Sequence, residues 1–122
     1  MSKIQINWSK LIPLKKEEIE KIVASGGVYR ISKKADDGKY YVFFIGHDEN
    51  IKEKLLLHLS EEETNLRLKA FLKLGGDFKF RYAIVKEKNT QEAIEKQMYK
   101  IYLPEYNLEE PKSLLDIEAN LN

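Results

Sequence analysis

Two runs of β-branched and aromatic residues, separated by a charged turn, dominate the first half of the chain. Gly27-Val28-Tyr29-Arg30-Ile31-Ser32 leads in, Ala35-Asp36-Asp37-Gly38 reverses direction, and Tyr40-Tyr41-Val42-Phe43-Phe44-Ile45-Gly46 leads back. The pattern predicts a β-hairpin, because such side chains fit a pleated surface and Asp-Gly closes a tight turn. In the second strand both alternating sets are apolar, Val42 and Phe44 on one face and Phe43 and Ile45 on the other. A strand apolar on both faces is expected to lie centrally, with helices on either side.

Helical spacing governs most of the rest. Residues 15–24 carry Ile19, Ile22 and Val23 at helical intervals, and Ser25-Gly26-Gly27 stops them. After Gly46, the polar His47-Asp48-Glu49-Asn50 resembles a helix entry. Residues 51–59 then place Ile51, Leu55 and Leu59 on one stripe and Lys54 and His58 on the next. Ser60-Glu61-Glu62-Glu63 has capping-box spacing, so another helix is expected from about Glu61 through Leu66, Ala70 and Phe71 to Leu74, ended by Gly75-Gly76. Alternation returns at residues 78–85, with Phe78, Phe80, Tyr82 and Ile84 on one face and Lys79 and Arg81 on the other. Residues 91–102 read as a helix with Ile94, Met98 and Ile101 facing the core, and Pro104 forces its exit. The acidic tail, 108–122, contains Pro111 and a segment, 113–119, that reads as a short last helix. The sum is an α/β (α+β) architecture: a three-stranded, mixed but mainly antiparallel sheet flanked by helices.

Composition narrows the function classes. With 122 residues, 43% hydrophobic, and no internal break, the chain is expected to form one domain, 1–122. Lys and Arg total 21 against 20 Asp and Glu, for a net charge of +1. That argues against attachment to nucleic acid by bulk charge and leaves room for a local basic face. There are no cysteines, hence no disulfides or thiolate metal sites. The first residues lack a signal-peptide pattern, and no apolar run approaches the ~18 residues of a membrane span. A cytoplasmic protein is the expectation.

The residues at the ends of these elements resemble the GIY-YIG nuclease family. Gly27-Val28-Tyr29 matches the first family tripeptide, and Phe44-Ile45-Gly46 the second, with phenylalanine for tyrosine. Lys54 stands where the family has arginine, eight residues after Gly46, and His58 follows one turn later. Glu95 precedes Pro104-Glu105-Tyr106-Asn107 by the family interval. The resemblance spans about residues 26–107 and rests on five elements in order, where any single tripeptide would carry nothing.

What the resemblance implies is hydrolysis of phosphodiester bonds, in DNA, with one divalent cation, Mg2+ or Mn2+. Glu95 would hold the cation through carboxylate oxygen; otherwise it is a surface glutamate. Tyr29 would orient or deprotonate the attacking water, which its ordinary pKa of ~10 permits only beside a cation; otherwise it is a core tyrosine. Lys54 would sit by the scissile phosphate, keeping the charge but not the planar fork of arginine, or is a solvated lysine. His58 would bond a phosphate or the water, or simply edge the site. Gly27, Gly46 and Asn107 are the remaining motif positions. Phe44 offers no hydroxyl; Tyr40 shares its expected face but stands about 13 Å away along a strand, and Tyr41 is expected to face the other way. Losing a positioned donor costs about a hundredfold to a thousandfold in rate, so Phe44 and Lys54 leave two readings open: a slowed nuclease, or a domain that binds nucleic acid or a protein without cutting. Lys69, Lys73, Lys79 and Arg81 would contact the nucleic-acid backbone, or form solvated faces. Oligomeric state is not encoded in these patterns.

Overall fold

The strand patterns at 27–34, 40–48 and 78–84 form one antiparallel sheet, and short segments near both ends of the chain extend the architecture. In the computed structural model, which describes residues 2–115 and 117–122, the elements run β1 (Ser2–Ile4), β2 (Ile12–Pro13), α1 (Lys16–Ile19), β3 (Gly27–Lys34), β4 (Tyr40–Asp48), α2 (Ile51–His58), α3 (Leu66–Lys73), β5 (Phe78–Ile84), α4 (Lys88–Tyr102) and β6 (Ile117–Ala119). The main sheet has the order β2-β5-β3-β4, one strand more than expected, with every pairing antiparallel. β2 is only Ile12 and Pro13, paired with Phe80 and Lys79. A proline is tolerated there because an edge strand has one side with no ladder to feed.

β1 and β6 form a separate parallel pair, Ser2 to Ile4 against Ile117 to Ala119. This corrects the helix expected over 113–119, of which Asp116, like Met1, lies outside the described residues. Leu114, Leu115, Glu118 and Ala119 permit a helix, but the three-residue strand finds its ladder partner at the other end of the chain. Asn120 reinforces the clasp, donating from Nδ2 to Ile6 O at 2.9 Å and accepting at Oδ1 from Ile6 N at 2.7 Å.

Both faces of the hairpin are covered, as its all-apolar second strand requires, but the expected central place of that strand is corrected: β4 is at the sheet edge and β3 lies inside, because β5 pairs with β3. On one side Tyr29, Ile31, Phe44 and Phe80 pack with Ile51 and Leu55 of α2, Leu68 of α3, and Ile19 and Ile22. On the other, Val28, Ile45 and Ala83 pack with Ile94 and Met98 of α4. Arg30 is also buried on that second side, between the rings of Trp8 at 4.6 Å and Tyr102 at 5.2 Å. Its charge rests on aromatic faces, and its Nη1 has no hydrogen-bond partner among the described residues.

One irregularity changes which side chains share a face. Ile31 opposes Phe44 while the next residue, Ser32, opposes Val42, so Phe43 is the extra residue of a β-bulge. Phe43 and Phe44 therefore join the same core cluster, and Val42 packs on the opposite side. The expected pairing of Val42 with Phe44 is corrected, and with it the faces of the two tyrosines. Tyr41, opposite Lys33, lies on the Phe44 side and Tyr40, opposite Lys34, on the other. Their hydroxyls donate to Asp37 and Asp77, both away from Phe44.

Three helix boundaries also move. α1 covers only Lys16–Ile19, because the backbone after it serves other elements: Ser25 O accepts from Ile51 N and Gly26 O from Val85 N. α3 starts at Leu66, capped by Asn65 Oδ1 accepting from Leu68 N at 3.1 Å, not by Ser60. α4 starts at Lys88 and ends at Tyr102, followed by a cap residue, Leu103, whose φ of 47° is left-handed and which precedes Pro104. Ile94 and Met98 face the core as expected, whereas Ile101 is 59% exposed.

Candidate active site

β3 places Tyr29 directly opposite Gly46 of β4, the sheet's edge strand. A Cβ on Gly46 would overlap the phenol oxygen and Cζ of Tyr29, so the ring lies across this position only because no side chain is there. Gly27 answers to the same kind of constraint, since a Cβ there would overlap the Ala83 carbonyl of β5. Tyr29 is 1% exposed, and its hydroxyl lies 2.7 Å from His58 Nε2 on the last turn of α2. Burial raises the Tyr29 pKa far above its ordinary value of 10.0, and the charges of Glu95, Asp48 and Glu63 push it the same way. The phenol therefore stays protonated unless a cation or a proton acceptor acts on it.

His58 is the hydrogen-bond partner of that phenol. Its Nδ1 lies 2.5 Å from Glu63 Oε1, with both side chains almost fully buried. Burial lowers the His58 pKa despite the Glu63 carboxylate, and Lys54 adds to the lowering. The imidazole is thus neutral at pH 7, and both of its nitrogens are committed within the protein. Neither nitrogen is left free for the direct bond to phosphate expected of His58. Beside it is a cavity of about 200 Å³ lined by Phe44, Lys54, His58, Glu63, Asn65 and Asn107, among others. The Phe44 ring stands edge-on to the His58 ring at 5.0 Å. Asn107 closes the edge of β4 like a further strand, accepting from Ile45 N at 3.0 Å and donating to Ile45 O at 2.9 Å. Tyr106 N donates to the carbonyl of the bulge residue Phe43.

Glu95 approaches from the opposite side of the sheet, on α4, and its Oε2 is 3.0 Å from His47 Nδ1. His47 directly follows Gly46, so its partner is held near the position that Tyr29 crosses. This pair is more open, with side chains 24% and 14% exposed, and here the carboxylate hydrogen bond raises the histidine pKa. On the outer side of α2, Lys54 borders a second groove of about 600 Å³ whose other charged residues, Asp48, Glu49, Glu53 and Glu62, are all acidic.

Among solved structures the chain is similar to the GIY-YIG N-terminal endonuclease domain of UvrC from Thermotoga maritima, in three point-mutant forms each bound to its catalytic divalent cation. One form carries an asparagine-to-alanine change and two carry tyrosine-to-phenylalanine changes. The TM-scores are 0.58, 0.57 and 0.56 at 16%, 19% and 16% identity, over 77% of this chain and 94% of that one. The chain has the GIY-YIG fold. No protein-family model matches it, and no curated protein matches it in sequence.

Within this GIY-YIG fold the expected site residues divide into those brought together and those kept apart. Tyr29, His58, Lys54, Phe44, Gly46 and Asn107 converge at the edge of β4, with Glu95 across it. The four basic residues do not share a surface. Lys69 and Lys73 of α3 both pair with Glu61, at 3.2 and 3.1 Å. Lys79 and Arg81 project from β5 toward the side covered by α4, Lys79 over the Tyr40 ring and Arg81 bonded through Nε to Ser9 O. Glu63 and His47 stand at no motif position. Glu63 looks like the reciprocating acid of a capping box, and only its five-residue interval from His58 hints otherwise.

No group of three or more acidic or histidine side chains suited to a metal ion occurs among the described residues. A cation at Glu95 would therefore have at most two such protein ligands and complete its shell with water and phosphate oxygens. That donor set fits magnesium, which keeps much of its hydration and binds through one or two carboxylates plus substrate phosphate. One Glu95 oxygen faces His47, and Oε1 has no hydrogen bond among the described residues.

No helix among the described residues is long and apolar enough to cross a membrane.

Proposed function

We propose that residues 1–122 form one nuclease domain that hydrolyses phosphodiester bonds in DNA with Mg2+ or Mn2+, acting in the cytoplasm. The observation that carries this reading is the Tyr29–His58 hydrogen bond laid across Gly46, with the Glu95 carboxylate on the other side of the same strand edge.

Each side chain has a distinct task. Glu95 holds the cation, which supplies positive charge to the phosphoryl oxygens. Tyr29 orients the attacking water and takes its proton at Oη as the phenol's own proton moves to His58 Nε2. Lys54 balances charge on the phosphate from the cavity wall, with one point charge in place of a planar fork. Asn107 keeps the edge of β4 closed, so that Gly46 and Phe44 hold their places. Because Phe44 gives no hydroxyl and Lys54 no fork, turnover is expected to be slow, by a factor of about a hundred or more relative to a site with both groups.

The test is cleavage of single-stranded, duplex and branched DNA by purified protein with Mg2+ or Mn2+. Cleavage that disappears in Glu95→Ala and rises in the double variant Phe44→Tyr with Lys54→Arg supports the reading. Uncut DNA throughout, together with no divalent ion bound near Glu95, overturns it.

A further inference from the structure

Sequence spacing made His58 the end of the site, yet the structure continues it by one more buried residue. His58 has two ring nitrogens and, being neutral, one proton. Its Nε2 faces the Tyr29 hydroxyl at 2.7 Å and its Nδ1 faces Glu63 Oε1 at 2.5 Å. An ionised carboxylate only accepts, so the proton belongs on Nδ1, where it donates to Glu63. Nε2 is then a bare lone pair directed at the Tyr29 O–H, the one tautomer in which the phenol can hand its proton on.

Glu63 is placed for this by its surroundings, which make it an acceptor and hold it still. Its Oε2 accepts from Asn65 N at 3.4 Å. Asn65 is buried, caps α3 through Oδ1 and donates from Nδ2 to Tyr106 O at 2.8 Å. The start of the same loop is fixed by Ser60 Oγ donating to Leu57 O at 2.8 Å. Loop, α3 and the turn after α4 thus converge on one carboxylate. The charged and titratable groups facing His58 are Lys54 from its own helix, Asp48 from the end of β4, Tyr29 from β3 and Glu63 itself.

We propose that Glu63 is a positioning residue for hydrolysis: it fixes the His58 tautomer, and its negative charge stabilises the imidazolium that forms when His58 receives the Tyr29 proton. The proton count closes. Water gives a proton to Tyr29 Oη, Tyr29 gives its own to His58 Nε2, and His58 keeps Nδ1–H on Glu63. The resulting hydroxide attacks phosphorus, and the bond to the leaving ester oxygen breaks with its electron pair on that oxygen, which is protonated by solvent. The catalytic role of Glu63 rests on the nuclease reading above, whereas its control of the tautomer does not.

The experiment therefore has two readouts. Nitrogen-15 NMR of the imidazoles at pH 7.5 is expected to show His58 in the Nδ1–H form in the wild type and shifted toward Nε2–H in Glu63→Gln, whose amide can donate to Nδ1. In cleavage assays Glu63→Gln is expected to lower kcat about a hundredfold with KM for DNA nearly unchanged, to restore much of it as Glu63→Asp, and to add nothing in a Tyr29→Phe background. If no variant cuts DNA but the tautomer flips as described, the positioning stands and the nuclease reading falls. A wild-type His58 in the Nε2–H form overturns the proposal without need of any variant. So does Glu63→Gln with an unchanged tautomer and unchanged kcat.

Discussion

The chain has two histidines, each bonded through Nδ1 to a glutamate, and the pKa values of the two are shifted in opposite directions. His58 with Glu63 is sealed between β4, α2 and the loop before α3, and burial lowers the His58 pKa. His47 with Glu95 lies nearer the surface, and the carboxylate raises the His47 pKa. The residue types are the same. What differs is whether water is there to share the cost of an imidazolium: where it is absent, desolvation outweighs the hydrogen bond, and where it is present, the hydrogen bond wins. One pair holds a neutral imidazole inside the protein, while the other favours the protonated imidazole beside its carboxylate.

The sharpest way to break this contrast is to neutralise the open carboxylate. Glu95→Gln is expected to reduce cleavage by more than about a thousandfold, since several kcal/mol of charge stabilisation depend on a bound cation. Its urea midpoint should barely move. Truncating the sealed carboxylate should do the reverse to stability: Glu63→Leu leaves the His58 Nδ1–H buried and unpaired, at a cost of about 1–3 kcal/mol in urea unfolding.

pH separates the pairs without mutation. His58 has a folded pKa below the ordinary 6.5, so its contribution is fully present above pH 6.5 and is lost as pH falls through the folded value. His47 is raised above 6.5, so its contribution is fully present below 6.5 and is lost as pH rises through the folded value. Proton NMR titration of the two imidazoles should give midpoints on opposite sides of 6.5. Two midpoints on the same side would remove the distinction. The smallest effect is expected at Phe44→Tyr, which adds a hydroxyl at the cavity lined by His58 and should change stability by less than about 1.5 kcal/mol in the same urea assay.

The sequence carried the positions that local rules and motif spacing determine. Tyr29, Gly46, Lys54, His58 and Asn107 are legible as candidates because each sits at a fixed interval from its neighbours along the motif. The bulge at Phe43 was not, since one inserted residue leaves an apolar run looking unchanged while reversing every face beyond it. Glu63 was hidden by a local pattern that fits a cap, which lost to a buried partner from the preceding helix. β1 and β6 have three residues each and exist only as each other's partners, so neither had a local signal to read. Glu95 was legible from its spacing, but its bond to His47 depends on how α4 crosses β4.

The clasp between the two ends of the chain has a mechanical consequence. β1 and β6 run parallel, so tension applied to the two ends pulls the strands along their length in opposite directions. That is shear, in which the ladder bonds share the load and must fail together, and not an unzipping that opens one at a time. Asn120 adds its two bonds to Ile6, and Trp8 Nε1 donates to Asn120 O at 2.8 Å. Stretched between its termini, the molecule should resist at this lock first, and the sheet that carries the site should bear force only after the lock has opened.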